Sequence, residues 1–330
     1  MIRELQIRNF KSVKTLDLKC NRINVLIGEP NTGKSNILEA IGLLQMFADR
    51  YKDHYKEDIS FMLRVSQWSQ LFHNQDLSQP LSVTADRTRV ELRYEKGRID
   101  VYVNKNRTVS LNPDYLYVSS EIGERPVRYA FYKFRGRDEF PSRETRFVVP
   151  PDAPNLLEVI RSRKELLDRT SFLLNKFNLN FVFDLTSRTI RLERQTTSIE
   201  GVREALYLPY TSLSEGLQRA VFNLAVVLGN ENMVIALDMP EAHMHPPHVK
   251  ELAELIASST GNQYFITTYS PYLLMSLIEK TPKDELNVFL TYRENRETKV
   301  KTLTNEQAEE ILDMDLDVFF NLDKFLESAT

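Results

Sequence analysis

Leu5, Ile7 and Phe10 alternate loosely with charged or polar neighbours, the pattern of a half-buried strand. The run INVLI at 23–27 is short and unbroken, as in a strand buried on both faces. GEPNTGKS follows at once, and NILEAIGLLQMF at 36–47 then spaces Ile37, Ala40, Ile41, Leu44 and Phe47 along one helical face. The predicted order is strand, glycine loop, helix. From about 82 to 149 short alternating segments predominate, with a hairpin turn marked by Lys96 and Gly97, so this stretch reads as an antiparallel, mostly β lobe. VPPDAPN at 149–155 breaks the pattern. The residues to about 178 then carry Leu166, Leu167, Leu173, Leu174 and Phe177 as a helical stretch with no sustained heptad, too short for a long coiled-coil arm. A hairpin at 181–192, the helix SEGLQRAVFNLAVVLG, the buried run MVIALD at 233–238, a helix at 247–257 and the strand QYFITTYS follow. Alternating strands and helices predict a parallel sheet covered on both faces. The tail ends in an acidic, helix-like segment, and there is no internal repeat, low-complexity tract or obvious flexible linker.

Composition narrows the class. A chain of 330 residues, 42% hydrophobic and 27% charged, is an ordinary globular sequence long enough for one large domain or two smaller ones. Forty-three basic against 46 acidic residues leave a net charge of −3, so attraction for nucleic acid would have to come from a local patch. The single cysteine, Cys20, excludes an intrachain disulfide, and no CxxC pair is present, which favours a reducing, cytoplasmic setting. MIRELQIRNFKSV lacks the apolar core and cleavage site of a signal peptide, and no apolar run reaches the roughly 18 residues of a membrane span. No membrane partner is expected.

The sharpest chemical signal is Gly28-Glu29-Pro30-Asn31-Thr32-Gly33-Lys34-Ser35, a full G-x-x-x-x-G-K-S string between an apolar strand and a helix. Phosphates need inward-turned backbone N–H groups at a helix N-terminus, a lysine for the β/γ oxygens and a hydroxyl for Mg²⁺. Lys34 supplies the charge and Ser35 the metal ligand, with Asn31, Thr32 and Asn36 in the same loop and first turn. The guanine-reading N-K-x-D motif is missing, since neither Asn104-Lys105-Asn106-Arg107 nor Asn175-Lys176-Phe177-Asn178 ends in aspartate. Further on, Ser214 is placed to cap a helix beginning near Glu215, with Gly216 allowing a phosphate-bearing surface to approach the backbone. Asp238 closes a buried strand, where a carboxylate at the C-terminal sheet edge can hold Mg²⁺ beside the P-loop.

Asn9 and Phe10 with Lys11 and Ser12 (NFKS), INVLIGEPNTGKSNILEAI, SLSEGLQR, ALDMPEAHMHP and TTYSPYLL appear in that order across nearly the whole chain. In this it resembles the ABC-type ATPases of the RecF, SMC and OLD group, often classed with AAA-family ATPases. The resemblance implies an ATP-binding head in two lobes, with Gly28, Gly33, Lys34 and Ser35 in Walker A and Asp238 in Walker B. Ser214, Glu215 and Gly216 would be the signature that completes a partner subunit's site, so that ATP joins two copies of the chain. Lys11 is a candidate neighbour of the nucleotide, and Gln75, within LFHNQDLSQP, is the candidate Mg²⁺-linked Q-loop residue.

Two positions depart from the family pattern. The glutamate that usually follows the Walker B aspartate is Met239, whose thioether can neither accept a proton from water nor polarise it. The switch histidine is replaced by Tyr269, whose phenol can hydrogen-bond a γ-phosphate but titrates far above neutrality. Slow hydrolysis, binding without turnover, and turnover through Glu241 as substitute base all stand open.

Three weaker clusters complete the reading. His243, His245 and His248 lie beside Glu241, but the family motif contains the first two, and a loop-packing or dimer-contact role is expected over metal. Arg125, Arg128, Lys133, Arg135, Arg137, Arg143 and Arg146 lie among aromatic residues; on a strand, Lys133, Arg135 and Arg137 would share a face, either solvated or tracking a phosphate backbone. Asp313, Asp315 and Asp317 read as an acidic docking helix, because the few residues after Asp317 are too short for the Toprim nuclease domain of OLD-type relatives.

The expected fold is an α/β P-loop NTPase head of ABC type, with a mixed or parallel core sheet flanked by helices and an antiparallel β lobe. One ATPase head would span 1–330, its sub-elements falling at 1–81, 82–150, 151–180 and 181–330. The expected function is an ATP- and Mg²⁺-dependent homodimerising switch, slow in hydrolysis, acting in DNA maintenance or antiphage defence with a nuclease or other effector protein, or on DNA. The alternative is a non-hydrolysing, nucleotide-gated scaffold.

Overall fold

A computed structural model describes residues 1–49, 59–116, 128–197 and 203–327. In chain order the elements are β1 (Glu4–Phe10), β2 (Val13–Lys19), β3 (Ile23–Gly28), α1 (Lys34–Leu44), α2 (Ile59–Leu63), β4 (Leu81–Ala85), β5 (Thr88–Glu95), β6 (Arg98–Val103), β7 (Asn106–Leu111) and β8 (Tyr129–Tyr132). There follow α3 (Leu156–Ser162), α4 (Lys164–Asn175), β9 (Asn180–Asp184), β10 (Thr189–Thr197), β11 (Arg203–Pro209), α5 (Glu215–Gly229), β12 (Val234–Asp238) and α6 (Pro246–Ser258). The chain ends with β13 (Gln263–Thr267), α7 (Pro271–Lys280), β14 (Leu286–Glu294), β15 (Glu297–Thr302), α8 (Asn305–Met314) and α9 (Asp323–Glu327). They form two compact units, one of residues 1–131, 232–239 and 257–330, the other of 132–231 and 240–256.

The first unit contains two six-stranded sheets. One is mixed, in the order β15-β14-β3-β13-β12-β8, with β14, β3, β13 and β12 mutually parallel and β15 antiparallel at the edge. The other is antiparallel, in the order β2-β1-β4-β5-β6-β7. α1 packs on strands of both sheets, so every residue from Ile37 to Leu44, Glu39 included, is buried, a wider buried surface than the single face its spacing suggests. Ile41, Leu44, Phe47, Trp68, Val83 and Leu92 belong to this shared core. The Lys96–Gly97 turn falls where expected, both residues at positive φ between β5 and β6.

The antiparallel lobe differs from the expected 82–150. It draws in β1 and β2, because Leu5, Ile7 and Phe10 turn to the same core as Val83 and Leu92, and it ends at Leu111. β8 joins the mixed sheet instead, and residues 133–149 form no strand.

The second unit holds a three-stranded antiparallel sheet, β11-β10-β9, with α3, α4 and α5. The helical stretch expected at 151–178 is the pair α3 and α4, and the hairpin at 181–192 is β9 and β10. The irregular chain around 144–149 is tied down by side-chain amides. Asn155 accepts from the Val149 N–H at 2.9 Å and donates to the carbonyls of Glu144 and Phe147 at 2.8 and 2.7 Å. Asn230 accepts from the Val148 N–H at 2.9 Å and donates to the Tyr132 hydroxyl at 2.9 Å. Such bonds replace a ladder for buried backbone groups, so the buried Val148 and Val149 need no strand partner. Lys133, Arg135 and Arg137 therefore share no strand face. Arg137 is ion-paired with buried Asp152, Arg135 lies 3.7 Å from the same carboxylate, and Arg146 pairs with Glu144 at 2.7 Å. Arg125 lies outside the described residues. In the tail, α8 stops at Met314, a 3₁₀ turn spans Asp315–Phe320, and Asp313 and Asp317 are exposed. The side chain of Asp315 lies outside the described residues. Among those described, no helix is long and apolar enough to cross a membrane.

Candidate functional site

β3 delivers the glycine loop to the C-terminal edge of the parallel strands, and α1 leaves from it. Gly33 occupies the N-cap of α1 at φ 100°, with no side-chain cap, so the first N–H groups of the helix face the loop. A Cβ on Gly33 would stand 2.0 Å from the Thr298 hydroxyl, so only glycine fits there. Asn31 is exposed at φ 61°, while Thr32 is buried, donating to the Glu29 carbonyl at 2.8 Å and meeting the Thr291 hydroxyl at 2.6 Å. Asn36 donates to Ser12 Oγ at 2.6 Å, which itself meets Thr298 Oγ1 at 2.7 Å.

A cavity of about 450 Å³ opens over this loop. Gly33, Lys34, Ser35, Asp238, Met239 and Tyr269 are on its wall. Lys34 Nζ donates to the carbonyls of Gly28 and Glu29 at 2.7 Å each and lies 4.3 Å from the centre of the Tyr269 ring. Burial pulls its pKa down to about 8, against the opposing pull of Asp238 and Glu29. Ser35 Oγ donates to Asp238 Oδ1 at 2.9 Å, and Thr267 Oγ1 donates to the same oxygen at 2.6 Å. A hydroxyl and a carboxylate converging beside a lysine form a hard oxygen donor set of the kind Mg²⁺ takes. Met239, at φ 49°, donates its N–H to the carbonyl and the hydroxyl of Thr267 at 3.1 and 3.0 Å. Burial raises the Tyr269 phenol above its usual range, with the Asp238 charge adding to it, so the phenol remains a donor at neutral pH. Among the described residues, Asp238 is the one carboxylate on the cavity wall.

Other expected residues fall elsewhere. Lys11 is not on the wall; its ammonium pairs with the buried Glu39 carboxylate at 2.5 Å and with the Leu63 carbonyl. Gln75 sits exposed at φ 57° on a 3₁₀ turn, also off the wall. Arg64 and Arg293 do line the cavity, Arg64 held by Glu39 Oε1 at 2.5 Å. Sequence reasoning passed over both, because an isolated arginine outside a motif carries no signal of where packing will turn it.

Ser214, Glu215, Gly216 and Glu241 belong to the second unit. Ser214 caps α5, accepting from the Leu217 N–H at 3.4 Å. Gly216 is met by this chain's own backbone: a Cβ there would stand 2.3 Å from the His243 carbonyl oxygen. Asn223 of α5 donates to the Pro240 carbonyl at 2.7 Å, and Glu241, buried, accepts from the Met244 N–H at 2.9 Å through its own carbonyl. The loop carrying His243 and His245 is thereby fastened to α5. His245 and His248 meet edge to face at 5.9 Å, and no group of three metal-ligating side chains occurs among the described residues.

The profile of the family described as "AAA domain, putative AbiEii toxin, Type IV TA system" matches residues 23–276. The chain is similar to the DNA replication and repair protein RecF of Staphylococcus haemolyticus, at 26% identity over 294 residues covering 79% of this chain and 76% of that one. RecF of Oenococcus oeni is 25% identical over 158 residues, covering 43% of this chain and 42% of that relative, less than half its length. Among solved structures it resembles an Smc head bound to the C-winged helix domain of ScpA, with TM-score 0.56, 16% identity and coverage of 94% and 99%. An Smc head with an extended coiled coil, bound to the C-terminal domain of ScpA derived from Pyrococcus furiosus, gives TM-score 0.52, 14% identity and coverage of 94% and 98%. These two likenesses are ones of fold.

Proposed function

The chain belongs to this AAA-domain family, among the ABC-type ATPases of the RecF and SMC group, and from that premise we propose that it is a Mg-ATP-dependent switch with slow hydrolysis. The observation that carries the reading is the meeting of Ser35, Asp238 and Lys34 in one cavity at the mouth of an uncapped helix N-terminus. The N–H groups of α1 and the Lys34 ammonium bind the β/γ phosphates. Ser35 and Asp238 would hold Mg²⁺, which when bound neutralises phosphate charge. Tyr269 offers a phenolic hydrogen to the terminal phosphate. Met239 stands where the family places its water-activating glutamate, and loss of a general base lowers rates by about 10²–10⁴.

Two copies of the chain would close on ATP, with Ser214, Glu215 and Gly216 of each completing the other's site. The Smc structures are of heads bound to ScpA domains, and the RecF relatives are named for DNA replication and repair. On those grounds the closed dimer acts, in this proposal, on a nuclease or other effector protein, or on DNA, in the cytoplasm. Met239, with Asp238 as the one carboxylate on the wall among the described residues, favours a second reading, a scaffold that binds ATP and assembles without turnover.

The test is ATP turnover of the purified protein, with sedimentation of wild type and Lys34→Ala in parallel, each with and without Mg-ATP. Slow turnover with ATP-dependent dimers that Lys34→Ala loses is expected. Dimers with no turnover select the scaffold. Fast turnover overturns the role given to Met239, and nucleotide-indifferent monomers overturn the switch.

A further inference from the structure

Lys34 is engaged on every side. An ammonium has three N–H donors; two reach the Gly28 and Glu29 carbonyls at 2.7 Å, and Thr32 Oγ1 lies at 3.5 Å. The remaining approach is covered by Tyr269, whose ring centre is 4.3 Å from Nζ. That ring is braced by Phe319, at 6.4 Å between centroids, from the 3₁₀ turn after α8. Lys34 is 5% exposed, although its loop opens onto a cavity. A phosphate that is to take the ammonium must draw it from two carbonyls and from an aromatic face.

We propose that Tyr269 is a positioning residue acting through Lys34: its ring holds the ammonium against the Gly28 and Glu29 carbonyls, and phosphate binds in competition with that cap. This rests on the nucleotide-site reading above. A histidine ring presents a smaller face and is a weaker cation–π partner when neutral, so the tyrosine sets a higher threshold for ATP. The competing contact is of cation–π type, between a buried ammonium and a ring left 39% exposed, and its removal changes affinity by about threefold to tenfold.

The experiment compares Tyr269→Phe with Tyr269→Ala, both lacking the hydroxyl, so that only the ring differs. Mg-ATP affinity is measured by calorimetry. The Lys34 Hε shifts are followed by NMR in protein carrying ¹³C-labelled lysine, without nucleotide, and assigned with Lys34→Ala. The expected result is an upfield ring-current shift in wild type and Tyr269→Phe that Tyr269→Ala loses, with Tyr269→Ala binding Mg-ATP about threefold to tenfold more tightly than Tyr269→Phe. Equal Hε shifts in the two variants would overturn the cap itself. A lost shift with equal or weaker ATP binding would overturn the competition. Absence of ATP binding in wild type and both variants would overturn the nucleotide reading and the competition with it, while the Hε comparison still decides the cap.

Discussion

Ser35 and Asp238 are 203 positions apart in the chain and 2.9 Å apart in space. The contact joins the first turn of α1 to the end of β12, and Thr267 at the end of β13 donates to the same carboxylate oxygen. Asp238→Ala is expected to remove the Mg²⁺ dependence of ATP binding while leaving the far-UV circular dichroism spectrum in place. Calorimetric titrations with and without Mg²⁺ check this; an unchanged Mg²⁺ effect would remove Asp238 from the metal site.

Met239→Glu is expected to raise ATP turnover by at least about tenfold, a conservative share of what a general base supplies. The left-handed backbone at φ 49° is already set by the bonds from Met239 N–H to Thr267, so the new carboxylate takes the same origin. A steady-state assay that finds no rise would sink the account of Met239 as a missing base.

Glu39 is 1% exposed and receives Lys11 on one oxygen and Arg64 on the other. Burial pushes its carboxyl up, with the two cations opposing, and burial likewise pulls Lys11 down. Glu39→Leu leaves the Lys11 ammonium without its carboxylate and is expected to cost about 3–5 kcal/mol. The double change Lys11→Met with Glu39→Leu should recover much of that loss. Urea unfolding of wild type and the two variants decides; equal stabilities of the single and double variants would mean the pair is not coupled.

Gly216→Ala brings a Cβ to 2.3 Å from the His243 carbonyl oxygen, a backbone atom that cannot swing aside. Alanine improves helix propensity by roughly 1 kcal/mol, yet the overpacked contact is expected to outweigh it, for a net loss of about 1–2 kcal/mol. A raised melting temperature would contradict the close approach of that loop to α5.

Glu144 is hydrogen-bonded by the Arg146 side chain and by the N–H groups of Arg146 and Thr145, and its pKa is lowered to about 2. A depressed carboxylate binds fewer protons folded than unfolded, so its contribution is present above about 4.5 and is lost as pH falls toward 2. Wild type should therefore lose stability more steeply than Glu144→Gln over that window. Arg146 is largely exposed, so added salt should shrink the difference. Parallel slopes in acid titrations of the two proteins would remove Glu144 from the acid response.

What was legible in the sequence is what short stretches of chain decide for themselves. The strand-loop-helix around Lys34, the Ser214 cap, the Lys96–Gly97 turn and the alternation from α5 to β13 all follow from local backbone preference and apolar spacing. The order of motifs was likewise enough to point to the ATPase family. Tertiary structure alone decided which distant groups meet. β1 and β2 left the glycine-loop sheet for the one containing β4, because burying Leu5 and Ile7 beside Val83 settles the partner strand and no local signal does. Lys11 was taken by Glu39 rather than the cavity, since a buried carboxylate needs its countercharge more than a strand end needs a solvated lysine. Arg64 reached the cavity wall, and Tyr269 came to rest over Lys34, by the same kind of choice: the packing of the whole core fixes distances of a few ångströms between residues whose separation along the chain says nothing about them.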